Sequence, residues 1–144
     1  MTTTPTYTAG KFVYAYDFRE YSSKGFLFSP YEYKQGQFDI QGIVSISLYP
    51  EVIKHTGKPT DIEINKANDE GYFFQKTTIG GELSYYRIQS LTSEDAIREA
   101  YLLAIEMDAN GISDFEISTE LVQAEKGLIT VAVLTAKGVA IKRK

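Results

Sequence analysis

The alternation of apolar and polar residues is clearest between Thr92 and Val122, where its period changes from about four to two. Ala96, Ala100 and Ala104 recur at i+4, flanked by Ile97, Tyr101, Leu103, Ile105 and Met107, while Arg98 and Glu99 fall off the stripe. That spacing predicts a helix over 93–109 whose thin alanine ridge lies close to a sheet. Thr92 with Asp95 three residues later forms a capping-box-like start. Glu94 and Asp95 complement the positive end of the helix dipole, and Asn110 and Gly111 supply a left-handed stop. Phe115, Ile117, Thr119 and Leu121 then alternate with Glu116, Ser118 and Glu120, as in a half-buried strand.

The rest of the chain is dominated by period two. In Gly42–Tyr49, Ile46 and Leu48 oppose Ser45, Ser47 and Tyr49, and Pro50 closes the strand. Residues 54–59 form a polar turn, 61–64 a short strand and 65–71 another turn. The oxygen-bearing residues of that last turn lack the alternating positions a calcium loop requires. Runs at 71–79 and 83–89 flank Gly80 and Gly81, which predicts a hairpin. Residues 124–127 turn the chain into Leu128–Leu134, the most apolar strand and a central one. Gly138 permits a bulge or kink before Val139, and Lys142, Arg143 and Lys144 end as a solvated tail. The pattern specifies an α+β fold: one main helix on a mostly antiparallel sheet, with residues 39–144 as a single domain.

Residues 1–38 differ in kind. They hold 11 of the 19 aromatic side chains, which makes this segment a flexible lead-in followed by an aromatic β-arm. Phe12, Tyr14, Tyr16 and Phe18 alternate along one predicted strand, and Phe26 and Phe28 lie in a second short run closed by Pro30. Two readings stand side by side. These rings pack on the sheet of their own subunit, since Tyr and Phe are good strand formers, or the six residues form a partner-binding surface.

Composition narrows the chemistry. The chain has 144 residues, 43% apolar and 24% charged, with a net charge of −4. That is enough for one domain with a real core, and it argues against a general phosphate-binding surface. No nucleic-acid partner is expected, because the basic residues Lys137 and 142–144 amount to a short terminal cluster. No apolar run is long enough to span a bilayer, so no membrane association is expected. The start lacks a basic and apolar leader pattern, so a cytoplasmic location is expected. The absence of cysteine removes disulfides, zinc thiolates and thiol catalysis together.

The features from Gly80 onward resemble the YbjQ family of small α+β bacterial proteins. They are Gly80–Gly81, the pair Tyr85–Tyr86, the alanines at 96, 100 and 104, the step Asp108–Ala109–Asn110–Gly111–Ile112, and the closing run from Val131 to Ile141. Gly42–Ile43–Val44 is similar to the family's opening strand. The resemblance covers about half the chain and implies a shared fold, ring-like pentamers and a heavy-metal-binding label. Asp108 stands where the family has glycine, and the aromatic arm is additional.

The residues themselves give such a site little to work with. His55 is the single imidazole, placed in a polar turn as a solvated surface histidine, and a soft-metal site needs several soft ligands. Asp108, Asp114 and Glu116 offer hard-cation ligands whose ordinary role is solubility. No G-x-S-x-G, no phosphate loop and no carboxylate pair in an apolar setting is present. The sequence therefore points to a non-catalytic, self-associating structural or binding module. It needs no cofactor, and it forms a homo-oligomer through sheet edges or the N-terminal arm. A YbjQ-like ligand or metal-binding protein and a small carboxylate-dependent hydrolase are the alternatives.

Overall fold

The computed structural model describes residues 16–31 and 36–144. Its elements, in order, are α1 (Arg19–Ser22), β1 (Leu27–Phe28), β2 (Phe38–Leu48), β3 (Val52–His55), α2 (Asp61–Asp69), β4 (Tyr72–Ile79), β5 (Glu82–Gln89), α3 (Ser93–Glu106), β6 (Gly111–Ala124) and β7 (Ile129–Arg143). The α+β expectation holds, with two sheets in place of one. The first has strand order β1-β6-β7-β2, antiparallel except for the parallel β1–β6 pair, and the second is the antiparallel β3-β5-β4.

The long β6–β7 hairpin belongs to two cores at once. Near α3, one of its faces supplies Ile112, Ile117, Ala136 and Ala140, which pack with Val44 of β2 and with Ala96, Ala100 and Ala104 of α3. Near its turn, the opposite face supplies Val122, Ala124, Ile129 and Val131, which pack with Tyr86 and Ile88 of β5 and Val52 of β3. A single alternation therefore cannot describe β6. Phe115 is buried as expected, but Leu121 of the same predicted face is 71% exposed, because the burial has changed sides.

α3 begins as the sequence specifies. Thr92 caps the backbone N–H of Asp95, whose carboxylate accepts in return from the Thr92 N–H at 2.9 Å. Its end is different. The left-handed residue is Asp108, at φ 59°, and the N–H groups of Asp108 and Ala109 donate to the carbonyls of Ile105 and Ala104. This is a Schellman closure with aspartate in the position glycine usually takes. Asn110 and Gly111 lie beyond it, and Gly111 opens β6.

The helix sits on small residues, because the sheet presents Ala136, Gly138 and Ala140 at alternate positions of β7. Gly138 forms no bulge of its own. The irregularity lies opposite, between Ser113 and Glu116 of β6, and Asp114 takes φ 52° there. A Cβ at Gly138 would stand 2.4 Å from Ile112 Cγ2 and 2.9 Å from the Ser113 carbonyl oxygen. Gly138→Ala is accordingly expected to destabilise the fold by about 1–2 kcal/mol, within the overpacking range. Urea unfolding is the measurement, and an unchanged midpoint would mean that the bulge relaxes freely.

Three local expectations are corrected. Residues 61–69, expected as a short strand and the start of a turn, are the helix α2, nucleated by a complete capping box between Thr60 and Glu63, and the turn is confined to 70–71. Tyr16 and Phe18 are not in a strand: Asp17 accepts from the Arg19 N–H at 3.0 Å, and the Phe18 carbonyl accepts from Tyr21 and Ser22, turning the chain into α1. The tail is part of β7 through Arg143. The Arg143 backbone N–H donates to Asn110 Oδ1, and its guanidinium donates to the Gly25 carbonyl.

The 80–81 hairpin turn is as expected, with both glycines at positive φ.

Candidate functional site

Of the six aromatic residues assigned to a partner surface, Phe12 and Tyr14 lie outside the described residues. The other four belong to one ring cluster. After α1, Gly25 turns the chain so that Leu27 and Phe28 run beside β6. The Leu27 and Ser29 N–H groups donate to the Asn110 and Ile112 carbonyls, and the Phe115 N–H donates to the Ser29 carbonyl. These bonds stitch the arm to its own domain. Phe28 is stacked on Phe18 at 4.8 Å and meets Phe115 edge-on at 4.8 Å, Tyr21 at 5.4 Å and Phe26 at 5.0 Å. Phe26 and Tyr21 both reach Tyr101 of α3.

Phe26 and Phe28 are 2% and 6% exposed, so the expectation that they face a partner is corrected. Their apolar surface is already spent within the same chain, and burial holds the Tyr21 phenol above its ordinary pKa. Tyr16, at 39% exposure, and the half-buried Phe18 form the outer rim of the cluster. With Phe28, Ser29, Pro30, Phe115 and Glu116 they line a cleft of about 160 Å³. A wider groove, about 360 Å³, separates the two sheets where Phe73, Leu121, Ala132 and Leu134 meet.

Asp108, Asp114 and Glu116, expected as hard-cation ligands, form no cluster. Asp108 binds Lys142 Nζ at 2.6 Å and Glu116 binds Lys137 Nζ at 2.9 Å. Among the described residues, no group of three or more His, Asp or Glu side chains is placed to hold a metal ion. Among the described residues, two carboxyls depart from their ordinary values, both downward. Asp17 falls to about 2 under hydrogen bonds from Arg19, and Glu63 is lowered by His55. A general acid requires the opposite shift. Within the described residues no helix is long and apolar enough to cross a membrane.

His55 is the residue the sequence placed least well. It ends β3 rather than sitting free in a turn, and its side chain is mostly covered. Nε2 lies 2.6 Å from Glu63 Oε2, Nδ1 lies 3.0 Å from the Gly57 carbonyl oxygen, and the ring meets Phe74 edge-on at 5.1 Å. The available signal was Thr60-x-x-Glu63, which places a carboxylate on the first turn of a helix that starts just after His55.

No protein-family model matches the chain, and no curated protein matches it. Among solved structures, the chain is similar to a Pediococcus pentosaceus protein of unknown function assigned to the DUF74 family, with 15% identity and a TM-score of 0.48 over 83% of this chain and 99% of that one.

Proposed function

We propose that this protein is a non-catalytic, self-associating structural or binding module that pairs with further copies of itself through open sheet edges. The observation that carries the reading is β2. Apart from a bulge at Gln41, its backbone from Ile40 to Leu48 pairs with β7 on one side and, among the described residues, with no strand on the other. Its Ile40 and Ile43 side chains are 67% and 74% exposed. A long edge strand carrying exposed branched residues is the kind of surface that monomeric proteins blunt with charge, proline or cover. A second chain laid along β2 would satisfy its backbone groups and cover both isoleucines. The YbjQ-like kinship belongs to this same proposal and rests on the sequence features from Gly80 onward.

Ile43→Lys places a charge on that surface without touching the core behind it. Light scattering across a concentration series is expected to show an assembled wild type, and a variant whose midpoint for association rises at least about tenfold, as for loss of about 1.4 kcal/mol per interface. Its melting behaviour as a monomer should match the wild type. A wild type that stays monomeric at high concentration would sink the proposal. Removing residues 1–15 tests the arm without stripping Tyr21, Phe26 and Phe28 from the core.

A further inference from the structure

Sheet β3-β5-β4 has one face on the β6–β7 hairpin and the other under α2, and α2 is held there by little apolar contact. Ala67 is its buried residue, while Ile62 at the opposite end is 81% exposed. Polar ties hold both ends of the helix. Past its last turn, Glu70 binds Arg87 at 2.6 Å, and that guanidinium lies 3.8 Å over the Tyr72 ring. At its first turn the tie is His55 to Glu63.

The two acceptors around His55 settle its protonation chemistry. Gly57 O is a carbonyl and Glu63 Oε2 a carboxylate oxygen, so each needs a donor from the ring. A neutral imidazole has one N–H and the imidazolium has two. Glu63 Oε1 is already occupied by the Thr60 N–H and hydroxyl, so the carboxylate cannot turn away without opening the cap. We propose that His55 is a proton-operated latch on α2: charged, it donates to both acceptors and holds the first turn against the end of β3, and neutral, it leaves one acceptor facing a ring lone pair and lets that turn swing out.

The surroundings favour this assignment. Glu63 is the charged group in contact with the ring. Phe74 of β4 offers an edge, and Tyr85 of β5, the register partner of His55, is a phenol. Lys76 lies one strand further along the same row, about 10 Å away by strand spacing. Lys54 pairs with Tyr86 and so belongs to the opposite face, Lys58 follows the turn, and Asp61 opens the helix. The Gly57 and Glu63 acceptors hold the His55 pKa above its ordinary value, and His55 with the Thr60 N–H holds Glu63 below its own. The sign follows from these directions. The histidine contribution is fully present below about pH 6.5, the ordinary imidazole value, and is lost as pH rises through the raised value. The Glu63 contribution is lost only in acid, as pH falls through its lowered pKa.

The test is amide hydrogen exchange of residues 61–70, together with ring nitrogen chemical shifts of His55, in the full-length chain from pH 5 to 9. After correction for base catalysis, α2 opening is expected to grow with pH between the ordinary and the raised His55 pKa, by at most about tenfold for each pH unit. In His55→Gln the corrected opening should be independent of pH. In Glu63→Gln the His55 pKa should fall below that of the wild type. A wild-type His55 that titrates at or below the ordinary value, or wild-type opening that runs parallel to His55→Gln, overturns the latch. The ring titration needs no variant, so it decides the matter even if a substitution unfolds α2.

Discussion

Phe28→Ala is expected to lower stability by about 3–5 kcal/mol, the cost of removing a buried phenylalanine and leaving its cavity. Phe28 is 6% exposed and is surrounded by Phe18, Tyr21, Phe26 and Phe115, four rings that come from the residue before α1, α1 itself, the turn after it and β6. Phe18 also touches Phe115 at 6.1 Å, and Phe26 and Tyr21 touch Tyr101 of α3. Phe28 is thus the shared member of a cluster joining arm, sheet and helix. Backbone bonds to β6 restrain this stretch, so the rings cannot collapse fully into the space, which places the expected cost in the upper part of the large-to-small range. The corresponding change in melting temperature is about 10 °C or more. Tyr31→Ala serves as the control, because its ring is 77% exposed and should matter little. If Phe28→Ala melted like the wild type but associated less, the ring would serve a partner after all, and the core assignment would fail.

The contrast between arm and domain explains what the sequence could show. Aromatic crowding in residues 1–38 was plain, but composition does not say whether a ring faces its own sheet or another. That depends on pairing between Leu27 and Gly111, 84 positions apart, which no local pattern encodes. The helix α3 was legible because its start is a local contract between Thr92 and Asp95 and its buried face repeats every turn. Its end was misplaced because Asp108 adopts the left-handed conformation that glycine signals more openly.

α2 was legible and was still missed. Thr60 and Glu63 form the same capping box as Thr92 and Asp95, but the residues after them carry a weak apolar stripe with one buried alanine. Short polar helices held by charges at their ends do not announce themselves by periodicity. The His55–Glu63 contact depends on α2, so a pattern that shows no helix there cannot show the contact. β6 shows a different limit. Past the irregularity at Ser113–Glu116 its sequence keeps alternating, but the burial passes from one face to the other as the hairpin leaves α3 and reaches β5. Pattern reading assumes one buried face per strand. Leu121 was assigned to the core on that assumption and stands at the mouth of the groove between the sheets.

Ala100→Leu should cost about 1–3 kcal/mol by overpacking the contact between α3 and the first sheet. Ala96, Ala100 and Ala104 are each 0% exposed, and the sheet beneath them presents Ala136 and Ala140, also at 0%. Small residues on both sides bring the helix backbone near the strands, and the three added carbons would have to fit between two fully buried surfaces. The same sheet is tight at Gly138, where a Cβ would meet the Ser113 carbonyl oxygen at 2.9 Å. Relief would require α3 to lift from β2 and β7, which would loosen Ile97 and Tyr101 along with it. Leucine is nearly as good a helix former as alanine, so the loss cannot be assigned to propensity. Leu102→Ala, on the 47%-exposed side of the same helix, should change stability far less. Chemical unfolding of both variants separates the two faces. Equal effects, or a near-neutral Ala100→Leu, would show that the alanine ridge is not the surface on which the helix rests.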